Sequence, residues 1–241
     1  MTVPMDLTPQ QHQLWVANFF KGKVKEFLFD LKRIVRCCDQ AMSDFLVGSP
    51  TDEDCHAEVL YALSGFSNAI MTLKDAGSTI TGTKIGPQDI DPLRHGLFMR
   101  TCRNAATHDG HPILSLWTEG RFFVPTDILR FDDYGRLVQI QAPAVDARTF
   151  SLEFAHDFSV LLVSKLQPLA GLEGAKLDAK DVEKAFEFQG IPEFARELFQ
   201  QSKAAIAQHL SSVKVYPVQQ ALDVLKEVKV YCASQLSTVV S

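Results

Sequence analysis

The stretch Leu97-Phe-Met-Arg-Thr-Cys-Arg-Asn-Ala-Ala-Thr-His-Asp-Gly-His111 separates two regimes of pattern in this chain. It begins with apolar residues at helical spacing, Leu97, Phe98, Cys102 and Ala105, and runs into Gly110 and Pro112, where a helix stops. Its last turn gathers Arg103, Asn104, His108 and Asp109. No other segment sets a cation, an amide and a titratable imidazole so close together. Upstream the pattern is helical; downstream it turns to short strands and then to helix again.

Upstream, residues 8–20 carry Leu14, Trp15 and Phe19 and read as one short helix. From Val24 a regular three-and-four spacing follows: Phe27, Leu28, Leu31, Ile34, Val35, Cys38, Met42 and Phe45. Gly48-Ser49-Pro50 ends that helix and starts the next, with Ser49 as cap and Pro50 at the first helical position. The second helix carries Val59, Leu63, Phe66, Ile70 and Leu73. Gly77 through Gly86-Pro87 reads as a loop, and Asp91-Pro92 as the start of the third helix.

Downstream, Phe122–Val124, Ile128–Phe131 and Arg136–Ile140 have the length and alternation of strands, the last two joined by Asp132–Gly135. They predict a small β-hairpin or three-stranded insertion at about 117–142. Helical spacing returns from Asp146 to Leu169 through Phe150, Phe154, Phe158 and Leu162. The fold class expected is mainly α, a four-helix bundle with a β insertion. The PLAGLEG segment at 168–174 marks the expected boundary between a domain of residues 1–170 and a helical C-terminal extension, 171–241. That extension is expected to form helices near 178–189, 192–210 and 217–238.

With 241 residues, 46% hydrophobic and 22% charged, the chain can bury a core without disulfides or metals. Its formal charge of −5 speaks against a broad nucleic-acid-coating surface but leaves room for a small basic cleft. Five cysteines, an odd number with Cys37 and Cys38 adjacent and no CxxC, argue against a disulfide framework or a zinc site. No basic-then-apolar leader and no run near 18 apolar residues appears, so a cytosolic protein without a membrane partner is expected. There is no Walker loop, GxGxxG or GxSxG, and no cofactor is expected.

On a continuous helix Arg103 and His108, five apart, lie roughly 140° apart around the axis, whereas Asn104 and His108 share a face. Arg103 and His108 meet at one substrate only if the helix unwinds at Gly110 or a second copy faces the first. Arginine, histidine and an amide without a metal set suit RNA cleavage. The imidazole takes the proton of a ribose 2′-hydroxyl and the guanidinium braces charge growing on the phosphate.

Arg103-Asn104-x-x-x-His108, near the end of the third helix of an α-bundle, resembles the Arg-polar-x(n)-His signature of the HEPN superfamily. The resemblance spans about residues 8–169 in helix order. It implies a metal-independent endoribonuclease, dimeric with a composite site, of toxin or defence type and restrained by an antitoxin partner. By that resemblance Arg103 and His108 are catalytic and Asn104 orients. Arg100, one turn before Asn104, and His111 are expected to help hold the RNA. Some HEPN relatives bind nucleotides or partners without cleaving anything.

Other readings stand beside this one. Arg103 and His108 can serve only to stabilise the helix end. Arg100 can be an ordinary solvated arginine. His108-Asp109 with His56 and Asp157 suggests a metal phosphohydrolase, and His108 with His111 a zinc pair. Trp117 and Phe122-Phe123 can stack bases or pack the hairpin onto the helices.

Overall fold

Thr8 closes the first turn of the chain. Its hydroxyl accepts from the Gln11 amide at 3.2 Å, the Gln11 side-chain oxygen accepts from the Thr8 amide at 2.9 Å, and Pro9 follows at the first helical position. From this capping box α1 runs unbroken over Pro9–Leu46. The short helix and the long one expected in its place are therefore one. Gly22 does not interrupt it: the position faces open space, and the cost of a helical glycine, about 1 kcal/mol, is small beside the burial of Phe20 and Val24 on either side. Gly48, with φ +71°, ends the helix. Its amide donates to Phe45 and the Ser49 amide to Asp44, the paired bonds of a Schellman motif.

The computed structural model describes residues 8–49, 53–132, 134–174, 191–212 and 214–238. The expected Pro50 start and the helix expected near 178–189 lie outside the described residues. Among those described there are seven α-helices and two hairpins, so the protein is mainly helical. Helix α2 spans Glu53–Thr81 and passes straight through Gly77, where a loop was expected. A Cβ at Gly77 would sit 3.0 Å from Ile85 Cδ1, so the glycine admits a packing neighbour and does not break the helix. The turn comes at Gly82, φ +64°.

After the single turn α3 (Pro87–Ile90), α4 covers Gly96–His108. It starts later than the Asp91-Pro92 signal suggested. Gly96 explains the delay: a Cβ there would run into the Ile90 carbonyl, so the chain doubles back on α3 before the helix begins. His95, at φ 57°, makes that corner.

The β insertion consists of two separate antiparallel hairpins. One pairs β1 (Leu116–Thr118) with β2 (Arg121–Phe123), and the other pairs β3 (Ile128–Phe131) with β4 (Leu137–Ile140). Glu119 and Gly120 both have positive φ, as a two-residue hairpin turn requires. A side chain at Gly120 would meet Met42 Cα and Phe45 Cβ at 2.9 Å, so this turn sits directly on the end of α1. In the second hairpin the Asp132 carboxylate accepts from the Tyr134 and Arg136 amides, each at 2.9 Å.

Asp146 caps α5 (Ala147–Leu166) through the Thr149 amide at 3.0 Å, and a 3-10 turn, Gln167–Leu169, follows. Helices α6 (Glu193–Ser212) and α7 (Pro217–Ser237) complete the described chain. The centre is a group of phenylalanines: Phe27 of α1 stacks on Phe66 of α2 at 4.6 Å, and Phe154 stacks on Phe158 of α5 at 5.3 Å. Phe98 of α4 meets Phe150 edge-on at 5.4 Å. Each such ring contributes about 1.5–3 kcal/mol by leaving water.

Helix α7 belongs to the same core. Val218, Leu222, Leu225, Val228 and Cys232 are buried in it, and α7 packs along both α1 and α5. The long helices sharing this core are thus α1, α2, α5 and α7, with the shorter α4 laid against α2. Residues 217–237, expected within an appended extension, supply a wall of the main body. Gly174 fits under the start of α7: a Cβ there would sit 3.0 Å from Pro217 Cδ, and its amide donates to the Val215 carbonyl.

Candidate functional site

Helix α4 buries Phe98, Met99, Cys102 and Ala105 and turns its polar residues away from that face. Burial pushes the Cys102 thiol up to about 12, which makes it an inert packing group. The helix remains regular through His108. Arg103 and His108 therefore keep their separation of roughly 140° around the axis. The unwinding that would bring them together within one chain does not occur.

Each sequence-selected residue has a definite place. Arg103 is half-buried and its Nε donates to the Asn68 side-chain oxygen of α2 at 3.0 Å. Asn104 is half-buried one position further on, and His108 stands exposed in the last turn. Arg100 is engaged by Asp91, with Nε 2.5 Å from Oδ1 and Nη2 2.9 Å from Oδ2. Its charge is already matched, so it is not an open cation beside Asn104.

The end of α4 is closed by backbone bonds. The Ala105 carbonyl accepts from Asp109 at 3.2 Å and from His111 at 3.1 Å, while Gly110 takes φ +65° between them. This loop brings His108, Asp109 and His111 to one end of the helix. His111 Nδ1 is buried and has no hydrogen-bond partner among the described residues.

Arg130 was not anticipated here. From β3 its Nε donates to Asp109 Oδ2 at 2.6 Å and its Nη2 to Oδ1 at 3.3 Å. This guanidinium holds the Asp109 carboxyl below the usual carboxylate range, helped by the nearby imidazoles of His108 and His111. Strand alternation carries the signal that would have found it. Ile128 and Arg130 share the inward face of the hairpin while Leu129 and Phe131 face outward, so an arginine occupies an inward position.

The groups expected for a metal reading do not converge. His56 packs edge-on against Phe122, 5.2 Å between centroids, Asp109 is held by Arg130, and Asp157 belongs to another cluster. Among the described residues no three His, Cys, Asp or Glu side chains form a group able to hold a metal ion. Phe122 is buried, while Trp117 is partly exposed and meets Phe45 edge-on at 6.2 Å.

A second charged cluster lies where the His95 corner meets α5. Arg94 spans Asp157 (2.7 and 2.8 Å) and Glu153 (3.2 Å), and His95 Nε2 lies 2.7 Å from Glu153. Arg94 draws the Asp157 carboxyl down to about 2, with His156 assisting. The cluster pins the start of α4 to α5.

No helix among the described residues is long and apolar enough to cross a membrane. No family model matches the chain, and neither the curated proteins nor the solved structures include a detectable relative.

Proposed function

We propose that the protein is a metal-independent endoribonuclease of HEPN type, built on a helical bundle and acting in the cytosol as a homodimer. The observation that carries this reading is the end of α4, where an exposed imidazole, His108, follows Arg103 and Asn104 on one uninterrupted helix. In the reaction proposed, the ribose 2′-oxygen forms a bond to phosphorus and the bond to the 5′-oxygen breaks. His108 takes the 2′-proton, and the departing 5′-oxygen takes its proton from water, to which the imidazolium then returns the first. Arg103 braces the non-bridging oxygens and Asn104 orients the phosphodiester. The products are a 2′,3′-cyclic phosphate and a 5′-hydroxyl.

Arg103 reaches such a substrate by exchanging its neutral partner, Asn68, for a phosphate. Arg100 and His111 flank the site, Arg100 through Asp91 and His111 through its position beyond Gly110. The roughly 140° between Arg103 and His108 is the reason for a second copy: one subunit's arginine and the other's histidine meet where a single chain's do not. A toxin or defence role with a restraining antitoxin accompanies this reading through the resemblance.

A second reading is a non-catalytic HEPN-like module that binds a nucleotide or a protein. The same angular separation favours it, together with the −5 formal charge. Incubation with RNA in EDTA separates the two. The ribonuclease leaves cyclic phosphate ends and loses activity in Arg103→Ala and His108→Ala; the binding module leaves RNA intact.

A further inference from the structure

At the start of α4 a cavity of about 290 Å³ lies between the corner leading in from α3 and the linker from β4 to α5. Its polar side chains are those of Asp91, His95 and Gln141, and Leu93, Phe98 and Pro143 supply apolar walls. At about 30 Å³ for each water, the space takes roughly ten such groups, enough for a bicyclic heterocycle.

His95 singles this cavity out. Among the described residues only His95 and Glu119 combine a side chain with positive φ, and Glu119 is accounted for by its hairpin turn. The region is sparsely populated for such residues. The imidazole is fixed from behind: Nε2 lies 2.7 Å from the Glu153 carboxylate, which also accepts from Arg94 at 3.2 Å. An ionised carboxylate only accepts, so the proton sits on Nε2 and Nδ1 of the neutral ring carries a lone pair. Neither Nδ1 nor the Gln141 amide has a hydrogen-bond partner among the described residues. Asp91 is fixed as well. Arg100 donates to both its oxygens, at 2.5 and 2.9 Å, and leaves each oxygen able to accept again.

These groups narrow the ligand. No cationic side chain lines the cavity, so a phosphate finds no partner in it. The Asp91 charge is already matched by Arg100, so a cationic ligand gains little. The chemistry left over is two acceptors, Asp91 and His95 Nδ1, one amide that both donates and accepts, and apolar walls. An uncharged planar ring with neighbouring N–H donors and a carbonyl matches that set.

We infer that this cavity binds a guanine base. Among the common bases, guanine alone sets two neighbouring N–H groups beside a carbonyl on one edge. Its N1–H and N2–H donate to Asp91 and His95 Nδ1, and its O6 accepts from the Gln141 amide. Adenine presents a ring-nitrogen lone pair where guanine presents N1–H, which sets acceptor against acceptor and leaves a polar group unpaired. The site does not depend on the chemistry proposed at His108, which lies at the other end of α4, about 20 Å away by helical rise. A free nucleoside and an unpaired base in an RNA strand offer the same edge.

Calorimetric titration of the full chain with guanosine, inosine and adenosine tests the site without any cleavage. Guanosine binds at least about tenfold more tightly than adenosine, the scale of one well-made base contact, and no more weakly than its 5′-monophosphate. Inosine, which lacks the N2 amine, falls between. Gln141→Ala and His95→Gly each weaken guanosine by at least about tenfold. Glycine adopts the positive φ without strain, so the corner is kept and near-UV circular dichroism is unchanged. Tyr61→Ala, at an exposed position of α2, binds as the wild type does. Uridine oligonucleotides with 2′-O-methyl sugars, which 2′-attack cannot cut, identify the source when one central guanosine is compared with adenosine. A guanine preference in the strand identifies an unpaired RNA base, and one confined to nucleosides identifies a free nucleoside. Equal affinity for guanine and adenine in both forms, no binding in either, or binding unchanged in either pocket variant overturns the site. A chain that binds guanosine and leaves RNA intact in EDTA overturns the ribonuclease and leaves this site standing.

Discussion

Arg130 of β3 and Asp109 at the end of α4 form a two-point ion pair, Nε to Oδ2 at 2.6 Å and Nη2 to Oδ1 at 3.3 Å. The pair joins the hairpin to the helix end that carries His108 and His111. Charged residues of β3 and α4 are thus coupled across 21 residues of chain.

Removing the arginine charge releases Asp109. In Arg130→Gln the Asp109 carboxyl rises toward the ordinary carboxylate value, about 3.9, as read by NMR titration of its side chain. The depressed carboxyl makes a contribution that is present above that value and lost as the pH falls through the lowered one. An unchanged Asp109 titration in Arg130→Gln contradicts the pairing.

Asp157 makes the same prediction at a more consequential place. Its carboxyl is drawn down to about 2 by Arg94, so the stabilisation is complete above the unfolded value near 3.9 and fades as the pH falls toward 2. Because Arg94 is half-exposed, Asp157→Asn costs on the order of 1 kcal/mol at neutral pH. Urea melts at several pH values give the check: the variant loses the part of the acid slope that the wild type shows between those two values.

The C-terminal helix is expected to be indispensable to folding. Leu225→Ala, at a fully buried position of α7, costs about 2–5 kcal/mol in chemical denaturation. A chain ending at residue 216 exposes the core faces of α1 and α5 and fails to give a cooperative melt. A sharp native-like transition in that truncated chain contradicts the shared core.

Much of this fold was legible in residues that speak through period. Val24 to Phe45, Val59 to Leu73 and Phe150 to Leu162 announce the faces that meet in the phenylalanine core. Glycine misled at two places. The gap between residues 20 and 24 and the Gly77 loop both read as breaks, yet Gly22 and Gly77 lie inside helices, Gly22 against open space and Gly77 against Ile85. Local sequence does not say which neighbour a glycine admits. Asp91-Pro92 carried a helix-start signal, but the close approach of Gly96 to Ile90, a contact between two elements, moved the start. That helix α7 belongs to the main core was not legible, because its buried face meets α1 and α5 far upstream in sequence.

The site was legible in part. Arg103, Asn104, His108 and His111 were singled out by their chemistry, and the helix end at Gly110 lies where the sequence sets it. Arg130 escaped notice because its significance depends on which face of β3 turns inward, and that is decided by packing against α4. The pairing of Arg100 with Asp91 was equally hidden, since it depends on the turn that delays the start of α4.

The most direct test of the account is cleavage of a mixed RNA pool in EDTA by wild type and by His108→Ala, with analysis of the product ends and circular dichroism of both proteins. The account predicts 2′,3′-cyclic phosphate ends from the wild type and at least about a hundredfold loss in the variant, at the low end of what a proton-transfer group supplies, with the fold unchanged. Intact RNA after incubation with folded, dimeric wild type, or equal cleavage by both proteins, contradicts it.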